Sequence, residues 1–257
     1  MIDHSQDPKQ AREVYDTYWE STEDSYPHYP TIRHRKRFIL KEIQKFLQCH
    51  SEPAEGYTSI FDFGCGEASL LTTIQQTFRI PQKHLAGNDI SAFAVKRAQQ
   101  KIPEGTFFPS AFPATDQKYH IIICSEVIEH TTEYQKILRW IFDHLRKNGL
   151  LILTTQSGRI HASDRYTHHT QHFKKSCLDA LLKNIGFHIQ SSRLWGWPFF
   201  TVQKYLTDVN FDHVRDRYLE GNISPSKKRI FNAAYASYHL HDLIPFGPQI
   251  YSTAKKT

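Results

Sequence analysis

A chain of 257 residues, 39% hydrophobic and 23% charged, has the apolar content to bury one large domain, or one domain carrying a subdomain, and too much of it to stay disordered. Its formal charge of +6 is spread over short groups, Arg33 to Arg37, Lys174-Lys175 and Lys227-Lys228-Arg229, so no basic stripe marks nucleic acid as the expected partner. The opening Met1 to Pro8 has no apolar leader core, and no run approaches the ~18 to 20 apolar residues that span a bilayer, which predicts a cytoplasmic protein without a transmembrane segment.

In chain order, the segment from about 10 to 48 reads as helical and carries Tyr15, Tyr18, Trp19, Tyr26, Tyr29 and Arg33. An α/β core follows, with strands expected at 58–63, 84–89, 105–109, 119–124, 149–155 and 187–194 and helices at 68–78, 91–101, 134–146 and 174–184. The last of these helices stops at Gly186, a residue suited to the left-handed cap, and Phe187 opens the next strand. An aromatic-rich stretch precedes a final strand near Pro248 to Ala254. The organisation is therefore 1–50 helical segment, 51–194 core, 195–246 insertion and 247–257 last strand and tail. Cys49, Cys65, Cys124 and Cys177 show no paired spacing, which predicts reduced thiols rather than a disulfide or zinc framework.

The segment Ile60 to Ala68 is an apolar run that breaks into Gly64-Cys65-Gly66 and leads into a helical pattern. Glycines at such a strand-to-helix turn reach backbone angles closed to other residues and let a ligand lie against the main chain. A second strand ends in Asp89, a little over 20 residues later, where a doubly wound sheet places the carboxylate that grips two ribose hydroxyls.

Four motifs stand in order: Phe61-Asp62-Phe63-Gly64-Cys65-Gly66, Asn88-Asp89-Ile90-Ser91, Ser125-Glu126-Val127-Ile128-Glu129-His130 and Lys147-Asn148-Gly149-Leu150-Leu151-Ile152. Over roughly residues 35 to 192 they resemble the class I S-adenosylmethionine-dependent methyltransferases. The Glu-Val-Ile-Glu-His signature looks like that of the ubiquinone-biosynthesis O-methyltransferases and related small-molecule enzymes. The resemblance implies a Rossmann-like seven-stranded sheet, S-adenosyl-L-methionine as cofactor, and a small or medium acceptor methylated at oxygen. Such enzymes join their last two strands by a short hairpin, so 195–246 is expected to be a substrate cap, with a homodimer interface or extra core as the other reading. It also implies that the cofactor's methionine end lies over Gly64, Cys65 and Gly66, with Asp62 near the ammonium and Ser125 beside it. Ile90 would pack on the adenine, Ala111 and Phe112 would flank its other face, and Arg33 would pair with the cofactor carboxylate. Relatives often place an acid near that adenine, and this sequence offers none until Asp116.

A sulfonium methyl is already activated, so holding the acceptor in line behind it supplies much of the rate. An oxygen acceptor must also lose a proton, and the candidate groups are Glu126 and His130 after the fourth strand and His168, His169 and His172 after the fifth. The Glu-x-x-Glu-His pattern of Glu126, Glu129 and His130 also resembles the metal site of the small-RNA 3′-terminal 2′-O-methyltransferases, in which a downstream histidine completes a magnesium-type site. Metal-assisted methylation of an RNA 3′ end is thus the alternative. Here His169 or His172 arrives earlier than in that family, so no metal ligand is assigned and turnover is expected to survive a chelator. A catalytically silent cofactor-binding scaffold of the same fold is the remaining alternative.

Overall fold

Apolar residues recur at Ile32, Ile39, Ile43 and Phe46, a stripe at helical spacing, and Pro30 opens the turn where its missing N–H costs nothing. In the computed structural model, which describes residues 13, 15–17, 19–20, 28–49, 57–211 and 224–257, these residues form helix α1 (Pro30–Cys49) and bury the stripe against a sheet. The expected α/β succession follows. It comprises β1 (Ile60–Phe63), α2 (Ser69–Phe78), β2 (Leu85–Asn88), α3 (Ala92–Lys101), β3 (Thr106–Phe108), β4 (Tyr119–Ser125), α4 (Tyr134–His144), β5 (Leu145–Gln156), a short α5 (Ala162–Tyr166), α6 (Lys175–Ile185) and β6 (Phe187–Trp195). The inserted helices α7 (Phe199–Val209) and α8 (Pro225–Tyr238) and the last strand β7 (Gln249–Lys256) complete the chain.

The seven strands pair in the order β3-β2-β1-β4-β5-β7-β6, with β7 antiparallel to both its neighbours. Isoleucine and leucine run without interruption through Ile121 to Ile123 and Leu150 to Leu153, as expected where helices cover both faces of a parallel sheet. Side chains alternate between two cores: Ile60, Ile121, Ile123 and Ile152 pack toward α1, α2 and α3, while Phe61, Ile122, Leu151 and Leu153 pack toward α4 and α6. The register sets Phe63 opposite both Asn88 and Cys124, so β1, β2 and β4 end level and deliver their loops to one edge.

Several boundaries differ from the sequence expectation. Helix α4 ends at His144 and β5 starts at once, because Leu145 pairs with Tyr119 across a register shift. Trp195 belongs to β6 rather than to the insertion. It is fully buried, stacked on His34 at 3.8 Å and edge-on to Tyr238 at 5.5 Å. The four cysteines are free, with Cys65 and Cys124 buried. No helix among the described residues is long and apolar enough to cross a membrane.

The insertion folds back on α1 as well as over the sheet edge. Phe231 packs on Tyr29 at 5.2 Å, and Arg37 pairs with Asp242 at 2.7 Å. His241, buried beside Trp195, accepts the Phe199 backbone N–H at its Nε2, 3.0 Å away, a bond only the unprotonated nitrogen can make. Burial lowers this ring from 6.5 to about 4, against the pull of Asp242. Because the folded state binds the proton more weakly than the unfolded one, the stability His241 contributes is complete above pH 6.5 and is lost as pH falls toward 4. His241→Gln keeps an acceptor that does not titrate, so its Tm is expected to fall less than that of the parent between those two pH values in a thermal melt series.

Candidate active site

The level strand ends bring the β1, β2 and β4 loops together. After β1, Gly64 and Gly66 adopt φ of +77° and +52°. The Cys65 N–H donates to the Asn88 carbonyl at 2.8 Å, which folds the glycine turn over the end of β2. Asp89 then accepts from the Gly66 N–H and from the Ser91 N–H, both at 2.9 Å, and so ties the glycine loop to the start of α3. Burial lifts the Asp89 carboxyl to about 6 despite these bonds. Asp62, the penultimate residue of β1, is pushed to about 8 by burial and by Asp89, with Lys36 opposing.

The other residues expected to hold the cofactor fall around this edge. Ile90 follows Asp89 directly, and the Ser110 carbonyl accepts from the Asn88 side chain at 2.8 Å, which fixes the turn carrying Ala111 and Phe112 after β3. Ser125, at the end of β4, hydrogen-bonds Thr154 at 2.9 Å. The amino-terminal segment closes over the loops. The Trp19 indole lies where a Cβ on Gly66 would be, Val127 does the same at Gly64, and Asp16 accepts from the Ser91 hydroxyl and from the Phe93 N–H. Tyr18 and Tyr26 lie outside the described residues. Arg33 is elsewhere: its guanidinium stacks 3.9 Å over Tyr235 and donates to Asn232, in a groove of about 830 Å³ shared with Lys36, Arg37 and Lys41. Two residues further, helix geometry turns Arg35 toward the strand ends instead, 3.6 Å from Glu126.

Glu126 sits at φ +56° after β4 with both oxygens engaged. It accepts from Thr154 at 3.0 Å, from Gln156 at 2.6 Å and from Gln249 at 3.3 Å, so side chains from β5 and β7 use its lone pairs and leave it an anchor of the sheet edge. Glu129 is different. It is fully buried, accepts from Thr155 at 2.8 Å on one oxygen, and has no partner on Oε1. Burial and the Glu126 carboxylate push its carboxyl well above the usual range.

His130 and His169 meet this free oxygen, their rings edge-on at 4.5 Å. The stretch carrying His169 is stitched to the β4 loop by its backbone: the Glu129 carbonyl accepts from the Thr170 N–H at 2.8 Å and hydroxyl at 3.0 Å, and Gln171 caps the Ile128 and Thr131 carbonyls. His169 Nδ1 hydrogen-bonds His172 Nε2 at 2.9 Å, and Asp164 stands 3.7 Å from His172 and 2.9 Å from the buried ammonium of Lys204. Burial lowers His130 to about 4 and takes His169 and His172 below the usual imidazole range as well. All three rings are therefore neutral bases at pH 7. Tyr15 joins the two halves of the site: its ring stands edge-on to His130 at 6.0 Å, and its buried hydroxyl, pushed up by burial, feels both Asp89 and Glu129.

Sequence reasoning did not find Arg35, Asp16, Asp164 or Lys204. Only the helical phase of α1 distinguishes Arg35 from Arg33. Asp164 and Lys204 sit on α5 and α7, whose positions over the β5 edge depend on tertiary packing.

The methyltransferase-domain family matches residues 31–192. Among characterised relatives, the chain is 25% identical over 114 residues to a trans-aconitate 2-methyltransferase of Deinococcus radiodurans, covering 44% of this chain and 43% of that protein. It is 25% identical over 135 residues to a malonyl-[acyl-carrier protein] O-methyltransferase of Bacillus cereus, covering 51% of this chain and 48% of that protein. The chain thus spans less than half the length of either relative. A proposed sarcosine dimethylglycine methyltransferase from Galdieria sulphuraria has a similar fold, with a TM-score of 0.59 at 15% identity over 88% of this chain and 86% of the other. The glycine turn, the Asp89 carboxylate and the family match agree, and the chain belongs to the methyltransferase-domain family.

Proposed function

We propose that this methyltransferase acts on an oxygen, a hydroxyl of a small or medium-sized acceptor. The observation that supports the reading best is the buried cluster of Glu129, His130 and His169, whose unused lone pairs lie one tyrosine away from Asp89. An amine in its neutral form can attack the sulfonium methyl with its own lone pair, so its proton leaves before the transfer and not during it. A hydroxyl must lose its proton as the O–C bond forms, and a buried cluster of imidazoles and a carboxyl group beside it can assist that loss, either as a base or by holding an ion that acidifies the hydroxyl. One of the relatives is named for O-methyl transfer, which agrees.

In this reading Gly64, Cys65 and Gly66 support the methionine end of the cofactor, Asp62 faces its ammonium, and Asp89 holds the ribose. Trp19, whose indole lies against Gly66 here, moves outward to admit the methionine end and then covers it with Tyr15. From the insertion, α7 contributes most directly, since Lys204 reaches both Asp164 and Gln156, at 2.9 and 3.0 Å. In α8, Tyr238 is buried against Trp195 with its hydroxyl on Gln203, while Phe231 and Tyr235 pack on Tyr29 and Arg33, so α8 braces the insertion against α1 and the sheet. The acceptor-recognition part of the cap is thus α7 and the loop beneath it.

The experiment is a transfer assay with methyl-labelled cofactor against matched alcohols, phenols, carboxylic acids and amines. Labelled ethers from hydroxyl acceptors are expected, and label confined to amines would overturn the oxygen assignment. At the cofactor end, Asp89→Ala removes contacts to two hydroxyls and is expected to weaken S-adenosylhomocysteine binding by about 1.5–3 kcal/mol in calorimetry, on the scale of hydrogen bonds to a charged group. Asp62 yields a pH prediction. Its carboxyl, at about 8, is protonated at pH 7, and an ammonium set against it favours the ionised form. Cofactor binding is therefore expected to release a proton at pH 7 and to release less above pH 8, read from the buffer dependence of the binding enthalpy; Asp62→Asn abolishes the effect.

A further inference from the structure

We propose that Glu129, His130 and His169 bind one divalent transition-metal ion of the zinc, manganese or iron type. Each offers one ligand atom, and the three atoms lie within 4.8 Å of one another. Around an ion bound at roughly 2.0–2.2 Å, neighbouring ligand atoms stand about 3–3.5 Å apart, so binding draws these side chains inward by about 1 Å. Two of the ligands present buried atoms with no partner, Oε1 of Glu129 and Nδ1 of His130. Leaving such an atom unpaired costs stability, and here two of them occur in adjacent residues of one cluster.

Each ligand is also held from behind, as metal ligands are. Thr155 donates to the second oxygen of Glu129 at 2.8 Å. The His130 ring hydrogen-bonds to the backbone at Thr167 and His168, and its Nδ1 is left over. His169 spends Nδ1 on His172, with Asp164 behind that ring, which leaves its second nitrogen for an ion. Asp164, His169 and His172 form a second cluster of suitable residues, but the Lys204 ammonium 2.9 Å from Asp164 supplies the positive charge there already. That group orients His169; it does not compete for the ion.

The donor set selects the class of metal. Two imidazoles and one carboxylate suit zinc, manganese or iron, whereas magnesium and calcium take oxygen ligands and water. Glu126 takes no part, because Thr154, Gln156, Gln249 and Arg35 occupy its carboxylate. The site thus differs from the Glu-x-x-Glu-His arrangement that the sequence suggested, and it replaces the expectation that turnover survives a chelator. Three protein ligands leave coordination positions open. The assignment of one of them to the acceptor hydroxyl rests on the proposed O-methyl transfer; the ion site does not. Bound there, the hydroxyl loses its proton to solvent more easily. Its oxygen then bonds the methyl carbon as the carbon–sulfur bond breaks, and the sulfonium becomes the neutral thioether of S-adenosylhomocysteine.

The test uses the full chain, stripped with a chelator and dialysed, then titrated with cobalt(II) and followed by its visible absorption and by elemental analysis after gel filtration. One ion per chain is expected, displaced by zinc. His169→Ala and Glu129→Gln, each checked for folding by circular dichroism, are expected to lose at least a hundredfold in affinity, and His172→Ala about 10- to 100-fold, the usual effect of removing a residue behind a ligand. The other histidines and the cysteines remain in these variants, so an ion held there would be unaffected. No stoichiometric ion in the parent, or equal affinity in folded His169→Ala, overturns the site; if Glu129→Gln fails to fold, His169→Ala alone decides. A bound ion together with label transfer only to amines leaves the site standing and sinks the oxygen reading. Hydroxyl methylation undiminished in stripped protein that still takes up cobalt leaves the site and the oxygen reading standing and overturns the ion's role in the transfer.

Discussion

Parallel strands deliver their loops to one edge of a sheet, and the register that sets Phe63 opposite both Asn88 and Cys124 makes three strands stop there together. Everything else in the site depends on that level edge. It lets Asp89 reach the Gly66 and Ser91 N–H groups at 2.9 Å, and it sets the β4 loop with Glu126 and Glu129 beside the glycine turn. A slip of one residue between β1 and β4 would turn every buried isoleucine of β4 toward the other core.

The same edge concentrates acids. Asp62, Asp89, Glu126 and Glu129 converge, and Glu126 has the Arg35 guanidinium 3.6 Å away. Burial raises the other three carboxyls, to about 8 for Asp62, about 6 for Asp89 and further for Glu129. Taking a charge out of water costs several kcal/mol even after relaxation, more than one neutral hydrogen bond returns. A protein that keeps such groups together is built to receive positive charge. The cofactor brings two such charges, its ammonium and its sulfonium.

The glycine turn and the acid that follows the next strand were legible in the sequence, because they are written in local backbone chemistry. Two glycines at positive φ and an acid after the next strand fix a turn and a carboxylate whatever lies around them. The cluster around Glu129 was not legible in that way. Glu126 and Glu129 differ only in what comes to meet them, and Thr154, Gln156 and Gln249 lie 28, 30 and 123 residues away. The pairing of His169 with His130 rests on the Glu129 carbonyl accepting from Thr170, a backbone contact across 41 residues. Arg33 and Arg35 have the same chemistry; the roughly 200° between them around the helix axis sends one to Tyr235 and the other to Glu126. The insertion was legible as an aromatic-rich element, but not the inward packing of Tyr238 and Trp195.

These two halves are carried by different kinds of structure, and that difference bears on how acceptor chemistry can change within one fold. The proposed cofactor contacts lie on strand ends and the turns that leave them, which the sheet register holds rigidly. The proposed acceptor contacts lie on the 157–174 connection and α7, held by Asp164, Lys204 and a few backbone bonds. Replacing Lys204 disturbs Asp164, and through His172 the orientation of His169, without touching Asp89 or the glycine turn. A scaffold arranged this way can alter what it methylates by re-aiming the helices over the β5 edge while its cofactor site stays as the strands set it.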